Sequence, residues 1–275
     1  SRGEILDRSM RPMAINRTSY EVIIDYNYFP YGKSAEKRQQ QNEIILKLTK
    51  LLSKAGESWN DTLPISESAP YTFLPERESG VKALKNHLRM AEYATAENCM
   101  AELVKRYCLE AYSPADQRTI AGVQFEMELR QFGFTNPFTF SSDISKDTSF
   151  QIGENKSEFP GVSIQTAAVR DIVSGNVACH LIGTVGPMYA EDYAQLKDKG
   201  YALNDKLGKS GAEAAFEDRL RGKSGTRTLI KDPSGTVIES FESQAPVPGQ
   251  SVVLTLDAKL QQITQQTLAD RIAQL

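Results

Sequence analysis

The chain changes texture once, at Phe134, and that change fixes the fold class. Before it lie capped helical stripes. Ser34 precedes Ile44, Ile45, Leu48, Leu51 and Leu52, a stripe at helical spacing that ends near Gly56. Val81, Leu84, Leu88 and Ala91 mark a second helix. Thr95 caps a third, with Met100, Leu103, Val104, Tyr107, Cys108 and Ala111 on its apolar face, and Ser113-Pro114 starts a fourth that runs to Gly133. Glu21 to Asp25 is strand-like, Trp59 to Glu78 reads as a loop, and the charged, Gln-rich Glu36 to Glu43 reads as a solvated helix face. After Phe134 come short apolar runs broken by Gly, Pro, Asn and Ser: Val162 to Ile164, Val177 to Ile182, Thr226 to Ile230, Thr236 to Phe241 and Ser251 to Thr255. These predict strands, with a hairpin turn at Asp232-Pro233-Ser234-Gly235. Tyr189 to Lys199 and Ala212 to Leu220 predict short helices, and Asp257 caps a last one bearing Leu260, Ile263, Leu268 and Ile272. One strand, then helices, then mixed strands and short helices is an α+β order, not an alternation of parallel units.

The charge balance, 32 Lys and Arg against 35 Asp and Glu, argues against a dedicated nucleic-acid binder. A length of 275 residues implies about two domains. No apolar run approaches the ~18 residues of a membrane span, and there is no signal peptide. Because the chain opens at Ser1 and stops inside a helical pattern, it is read as a fragment from which an upstream anchor or a downstream domain is missing.

Cys99 and Cys108 lie nine residues apart in one helical pattern, which separates them by ~13 Å along the axis and excludes a mutual disulfide. With Cys179 they are read as buried free thiols. His87 and His180 are the only histidines, and no Cys or His cluster has zinc spacing. Neither a metal nor a cofactor is expected.

The opening Arg2-Gly3-Glu4-Ile5-Leu6-Asp7-Arg8, followed by Ala14-Ile15-Asn16 and Tyr20-Glu21-Val22, resembles the segment after the membrane anchor of class B penicillin-binding proteins. Phe159-Pro160-Gly161-Val162, Arg170 and Ala178-Cys179-His180-Leu181-Ile182-Gly183 look like that family's Pro-Gly-Val and Ala-x-His-x-x-Gly signatures. Gly208-Lys209-Ser210-Gly211-Ala212-Glu213, Leu220-Arg221-Gly222 and Leu254 to Gln261 continue the series in order. The match covers residues 1 to 25 and 125 to 275 and is closest to the elongation-type branch. Ser9-Met10 replaces the usual Asn-Gly, and Asp171-Ile172 a more typical Tyr-Pro.

The resemblance implies an elongated, non-catalytic pedestal of largely antiparallel strands and short helices, residues 1–29 and 126–253, with a helical head inserted at 30–125. Residues 254–275 would begin a missing transpeptidase domain. Arg2, Gly3, Asp7, Arg8, Arg170, His180, Gly183, Gly208, Gly211, Glu213, Arg221 and Gly222 would be structural or interdomain positions, none catalytic. From the residues themselves, Arg2, Asp7 and Arg8 predict one polar network, and Glu213 with Arg219 and Arg221 a second. The intact protein would resemble its family in cross-linking peptidoglycan as a serine D,D-transpeptidase that binds penicillin. It would sit on the extracytoplasmic face of a bacterial membrane by a single N-terminal anchor. Expected partners are the transpeptidase domain, a membrane glycosyltransferase, a rod-complex scaffold protein and a second copy.

Two other classes compete. Ser34-x-x-Lys37, Ser79-x-x-Lys82, Ser174-Gly175-Asn176, Lys209-Ser210-Gly211 and Lys223-Ser224-Gly225 imitate the transpeptidase motifs in order, which would suit a self-contained serine acyltransferase or hydrolase. With 23 Ser and 17 Lys, about one Ser-x-x-Lys pair arises by chance, against the two present. The other class is a generic extracellular interaction module.

Overall fold

The computed structural model of the chain describes residues 1–32, 34–202, 205–231 and 237–274. In chain order the elements are β1 (Ile5–Leu6), β2 (Pro12–Ile24), α1 (Ala35–Lys54), α2 (Glu78–Leu88), α3 (Ala96–Tyr107), α4 (Pro114–Leu129), β3 (Phe138–Ile144), α5 (Lys146–Glu154), β4 (Val162–Asp171), α6 (Cys179–Ile182), β5 (Val185–Pro187), α7 (Ala190–Leu196), β6 (Lys206–Gly208), α8 (Gly211–Ala215), α9 (Glu217–Leu220), β7 (Thr226–Lys231), β8 (Val237–Gln244), β9 (Val252–Val253) and α10 (Ala258–Ala273). Four helices in succession followed by mixed short elements is the α+β order expected. Two compact units result: residues 1–18, 167–188 and 195–275, and residues 19–166 with 189–194.

In the second unit, Tyr20, Val22 and Ile24 of β2 pair antiparallel with Ile144, Ser141 and Phe138 of β3. Helices α1 to α4 supply most of the core. Ser34 accepts from the Lys37 N–H and starts α1, whose Ile44, Ile45, Leu48 and Leu52 are buried. Thr95 and Asn98 form a reciprocal capping box on α3, which satisfies two N–H groups that the helix geometry orphans. Ser113 caps α4 with Pro114 in its first turn. The fully buried Ile45 and Leu48 each contribute about 1.5–3 kcal/mol by leaving water.

The middle of this unit is more polar than the stripes predict. Arg118 on α4 is buried; its guanidinium reaches Asp61 Oδ2 at 2.7 Å and donates to the Leu63 and Ile65 carbonyls. One side chain thereby holds the loop at 59–78 onto a helix. Arg38, Gln41 and Asn42, in the stretch read as solvated, are buried: Arg38 and Gln124 bond at 3.1 Å, Gln124 donates to Gln41 and Asn42, and Asn42 donates to the Tyr107 carbonyl. Helix periodicity reports polarity, and cannot distinguish a polar side chain facing water from one facing a buried partner. Arg38, His87 and Arg106 converge on Glu128. Burial raises the Glu128 pKa, but the His87 hydrogen bond and Arg106 pull it lower, so it ends below the usual value. The Tyr107 hydroxyl is driven well above its ordinary pKa, first by burial and then by Glu128.

In the first unit, β1 pairs antiparallel with β2 (Ile5 with Ala14) and parallel with β9 (Ile5 with Val252). A second pair, β5 with β6, matches Val185 to Gly208, and a third joins β7 to β8. The core here is small: Ile5, Met13, Ala14, Ala178, Ile182, Ala212 and Leu220.

Several expectations need correction. Val177 to Ile182 is not a strand: Ala178 and Gly183 at positive φ bracket the single turn α6, so Ala178 and Ile182 share the buried face while Cys179, His180 and Leu181 are exposed. Cys99 and Cys108 do not share a helix, because α3 ends at Tyr107 with Cys108 as its left-handed cap. All three thiols are free, but only Cys99 is buried. Helix α4 stops at Leu129, short of Gly133, and β9 holds only two residues of the expected Ser251–Thr255 strand. The turn assigned to Asp232–Gly235 lies outside the described residues.

The only tryptophan, Trp59, lies in the second unit and reports its unfolding. In urea titrations followed by Trp59 fluorescence, Thr95→Ala lowers stability by about 1 kcal/mol. Lys50→Ala, which removes an exposed pair with Asp116, changes it by less than about 0.5 kcal/mol.

Candidate functional site

The family-like positions gather in the first unit around one buried carboxylate, Glu213 on α8. Its Oε2 accepts from Arg2 Nε at 2.6 Å and its Oε1 from Arg170 Nε at 2.7 Å. Glu213 is 1% exposed, so the pair of guanidinium groups replaces the water it has lost. Arg2 reaches on to the Glu213 carbonyl at 2.9 Å and to Glu217 Oε2 at 2.6 Å. Asn16 on β2 donates to the Arg2 carbonyl and accepts from Arg170 Nη1. Glu217 in turn accepts from the Gly208 N–H at 3.0 Å and from the Tyr201 hydroxyl. Burial disfavours the charged Arg2, but Glu217 and Glu213 outweigh it and leave the guanidinium pKa above its usual value. Burial and then Glu217 raise the Tyr201 phenol.

Asp7 forms a separate centre. Its Oδ1 accepts from the Ser9 and Arg11 N–H groups at 2.7 and 2.8 Å, and its Oδ2 from Ala258 N, the first residue of α10, at 3.3 Å. The Arg11 N–H is the largest influence holding this carboxyl below its ordinary range. The turn survives the loss of Asn-Gly because Met10 itself adopts φ of 62°. Arg8 is exposed, and its backbone N–H donates to Leu256 O.

The two networks expected from sequence are therefore regrouped. Arg2 belongs with Glu213, Glu217 and Arg170, apart from Asp7 and Arg8. Arg221 joins Asp205 at 3.0 Å and lies 3.4 Å from the centre of the Tyr201 ring. Glu217, Asn16, Asp205 and Tyr201 were not singled out by sequence. Glu213 and Glu217 are spaced as helical neighbours, which is the one signal that could have found the second carboxylate. His180 is exposed on α6.

The glycines accommodate close backbone approach. Gly183, at φ of 84°, faces the Ser210 carbonyl where any Cβ would collide, and Gly208 similarly faces the Glu213 carbonyl. Gly3, Gly211 and Gly222 lie against the backbones of Gln250, Leu181 and Val247.

Three of the five transpeptidase-like serines serve local structure. Ser34 caps α1; Ser174 Oγ donates to the Val177 carbonyl; Ser210 Oγ accepts from the Thr184 N–H. Ser34 and Ser79 lie in the second unit, the three later triplets in the first. Among the described residues no group of three or more His, Cys, Asp or Glu could hold a metal.

Removing one partner from a buried ion pair strands the other charge. Glu213→Ala is thus expected to destabilise the first unit by about 3–5 kcal/mol, seen as faster amide exchange in residues 1–18. Asp7 supplies a pH signature. Its folded pKa is lowered, so its stabilisation is full above the ordinary value of 3.8 and fades as pH falls through the lower folded value. Protection of the Ala258 amide should fade over that acid range in the natural chain, and Asp7→Asn should remove this dependence while weakening protection at neutral pH.

Residues 1–254 match the family described as Penicillin-binding Protein dimerisation domain. Peptidoglycan D,D-transpeptidase MrdA of Acinetobacter baumannii is 27% identical over 148 residues, 54% of this chain and 22% of that protein. MrdA of Escherichia coli K12 is 34% identical over 119 residues, 42% of this chain and 19% of that protein. Penicillin-binding protein 2A of Bacillus subtilis is 22% identical across 98% of this chain and 38% of its own length. The chain thus spans about a fifth to two fifths of these relatives. Penicillin-binding protein 2B of Streptococcus pneumoniae shares the fold, with a TM-score of 0.56, 23% identity and coverage of 100% of this chain and 42% of that one. So does PBP2 of Helicobacter pylori in its complex with MreC, with a TM-score of 0.54, 17% identity and coverage of 98% and 37%. Because the family match runs through all but the last residues, the chain belongs to the penicillin-binding protein dimerisation domain family.

Proposed function

We propose that this chain is the non-catalytic pedestal of a peptidoglycan D,D-transpeptidase, and that it positions the catalytic domain and contacts partner proteins. The observation that carries this reading is the tie between the opening segment and α10. β1 lies between β2 and β9, and Asp7 accepts from the first amide of α10. A load or tilt applied to the opening segment is then passed to the helix through this strand pairing and the Asp7 hydrogen bond. Gly3 N–H to Leu220 O at 2.7 Å and Gly249 N–H to Ser1 O at 2.9 Å add to the tie. Such a junction suits a support.

On this reading 1–29 and 126–253 act as the pedestal, 30–125 as an inserted head, and 254–275 as the approach to a transpeptidase domain. Arg2, Gly3, Asp7, Arg8, Arg170, His180, Gly183, Gly208, Gly211, Glu213, Arg221 and Gly222 are its structural positions. The fragment itself carries no acyl-transfer chemistry, and the intact protein cross-links cell-wall peptides on the outer face of the membrane. Among the described residues no helix is long and apolar enough to cross a membrane. A scaffold like the MreC bound by the Helicobacter pylori neighbour, a membrane glycosyltransferase and a second copy are the proposed partners.

Fluorescent penicillin separates this reading from the serine-acyltransferase one. The chain should take up no label while the full-length protein is labelled. Stable acylation of the chain, abolished by Ser34→Ala or Ser79→Ala, would overturn the assignment.

A further inference from the structure

Among the described residues, β7 and β8 pair only with each other. A two-stranded ribbon is marginal in water, and an unpaired strand edge offers a row of free amides and carbonyls. Edges are normally blunted by Lys, Pro, other charges, bulges or a covering element; β8, Val237-Ile-Glu-Ser-Phe-Glu-Ser-Gln244, carries no Lys or Pro, and its register with β7 slips at either end and leaves a regular run at 239–242. It also exposes two large apolar side chains, Ile238 at 68% and Phe241 at 50%. Isolated exposed apolar residues are ordinary; two on an edge strand that also carries two carboxylates are a docking signal.

The charges choose the occupant. Side chains alternate along a strand, so within the regular run Glu239 and Phe241 share one face and Glu242 lies on the other. The register with β7 agrees over that run, with Ile230 opposite Glu239 and Thr228 opposite Phe241, while Ile238 is the extra residue of an irregularity between Val237 and Glu239. One face of this run therefore presents an acidic and an apolar residue, and the other an acidic one. We propose that the free edge of β8 is an interaction surface that takes an extended basic segment of a partner protein by strand addition. An antiparallel strand complementary to this run would read basic–apolar–any–basic, opposite Glu242, Phe241, Ser240 and Glu239 in turn.

A second copy fits poorly. A second β8 strand offers no basic residue in any register, and with a twofold axis between 240 and 241 it would set Glu239 against Glu242, like charges that destabilise when directly opposite. The chain's own β7 sequence, Arg227-Thr-Leu-Ile-Lys231, has Thr and Ile where the pattern needs apolar and basic residues. This inference is independent of the pedestal reading.

The test uses the whole chain and a labelled 12-residue peptide with Lys-Val-Thr-Lys-Val at its centre, beside the same peptide with both Lys replaced by Glu. Anisotropy gives affinity, and amide exchange locates the site. The basic peptide is expected to bind about tenfold or more tightly than the acidic one, to weaken with added salt, and to protect amides in 238–243. E239K/E242K should reverse the preference, and the milder E239Q/E242Q should lessen it in case the reversal disturbs folding. Equal binding of both peptides, protection elsewhere, or none would overturn the proposal. So would self-association of the chain that protects 238–243 without peptide, since it would make the occupant a second copy.

Discussion

Glu213 is the buried charge around which the first unit is arranged. A carboxylate excluded from water is tolerated only where donors surround it, and Arg2 and Arg170 supply one nitrogen to each of its oxygens. The constraint propagates outward. Arg2 must lie at the head of β1 to reach α8, and Arg170 at the end of β4. Gly208 must lack a side chain so that β6 can lie beside the Glu213 carbonyl. Glu217 then holds the Gly208 amide and the other side of Arg2. With so few apolar residues in this core, placement rests on directional bonds more than on packed volume.

The second unit uses the opposite balance. A large apolar cluster drawn from α1 to α4, β2, β3 and α5 provides the driving force, and a few buried polar groups decide where irregular chain lies against it. Arg118 shows how. Its nitrogens satisfy carbonyls of a loop that makes little regular structure of its own, so the loop is fixed at the cost of burying one charge beside Asp61. Gly122 on the same helix leaves the room that Asp61 occupies.

These two balances explain what was legible in the sequence. Caps and stripes are local signals, and Ser34, Thr95, Ser113 and Asp257 each start a helix where their positions predict. The grouping at Glu213 was not legible, because Arg2 and Glu213 are 211 positions apart and no spacing rule spans that distance. The resemblance named Arg2, Arg170 and Glu213 but neither Glu217 nor the grouping, and the expected Arg2–Asp7–Arg8 cluster divided into two centres. The misread Val177–Ile182 run shows a different limit. Six residues of mixed apolar character fit a strand or a helical turn equally, and the positive φ at Ala178 and Gly183 decides between them.

The replacement of Asn-Gly by Ser9-Met10 shows why a motif can change while its geometry does not. A left-handed Met costs roughly 1–2 kcal/mol relative to glycine's freedom, which a solvent-exposed turn could not recover alone. Here Asp7 accepts two turn amides and a helix amide together, so the turn conformation is set by the carboxylate and not by the residue at its tip. Met10 is 63% exposed and meets no packing demand, which leaves its backbone free to follow. The part of the motif that must persist is therefore the acid. Its partner is the first turn of α10, to which the carboxylate ties the opening segment.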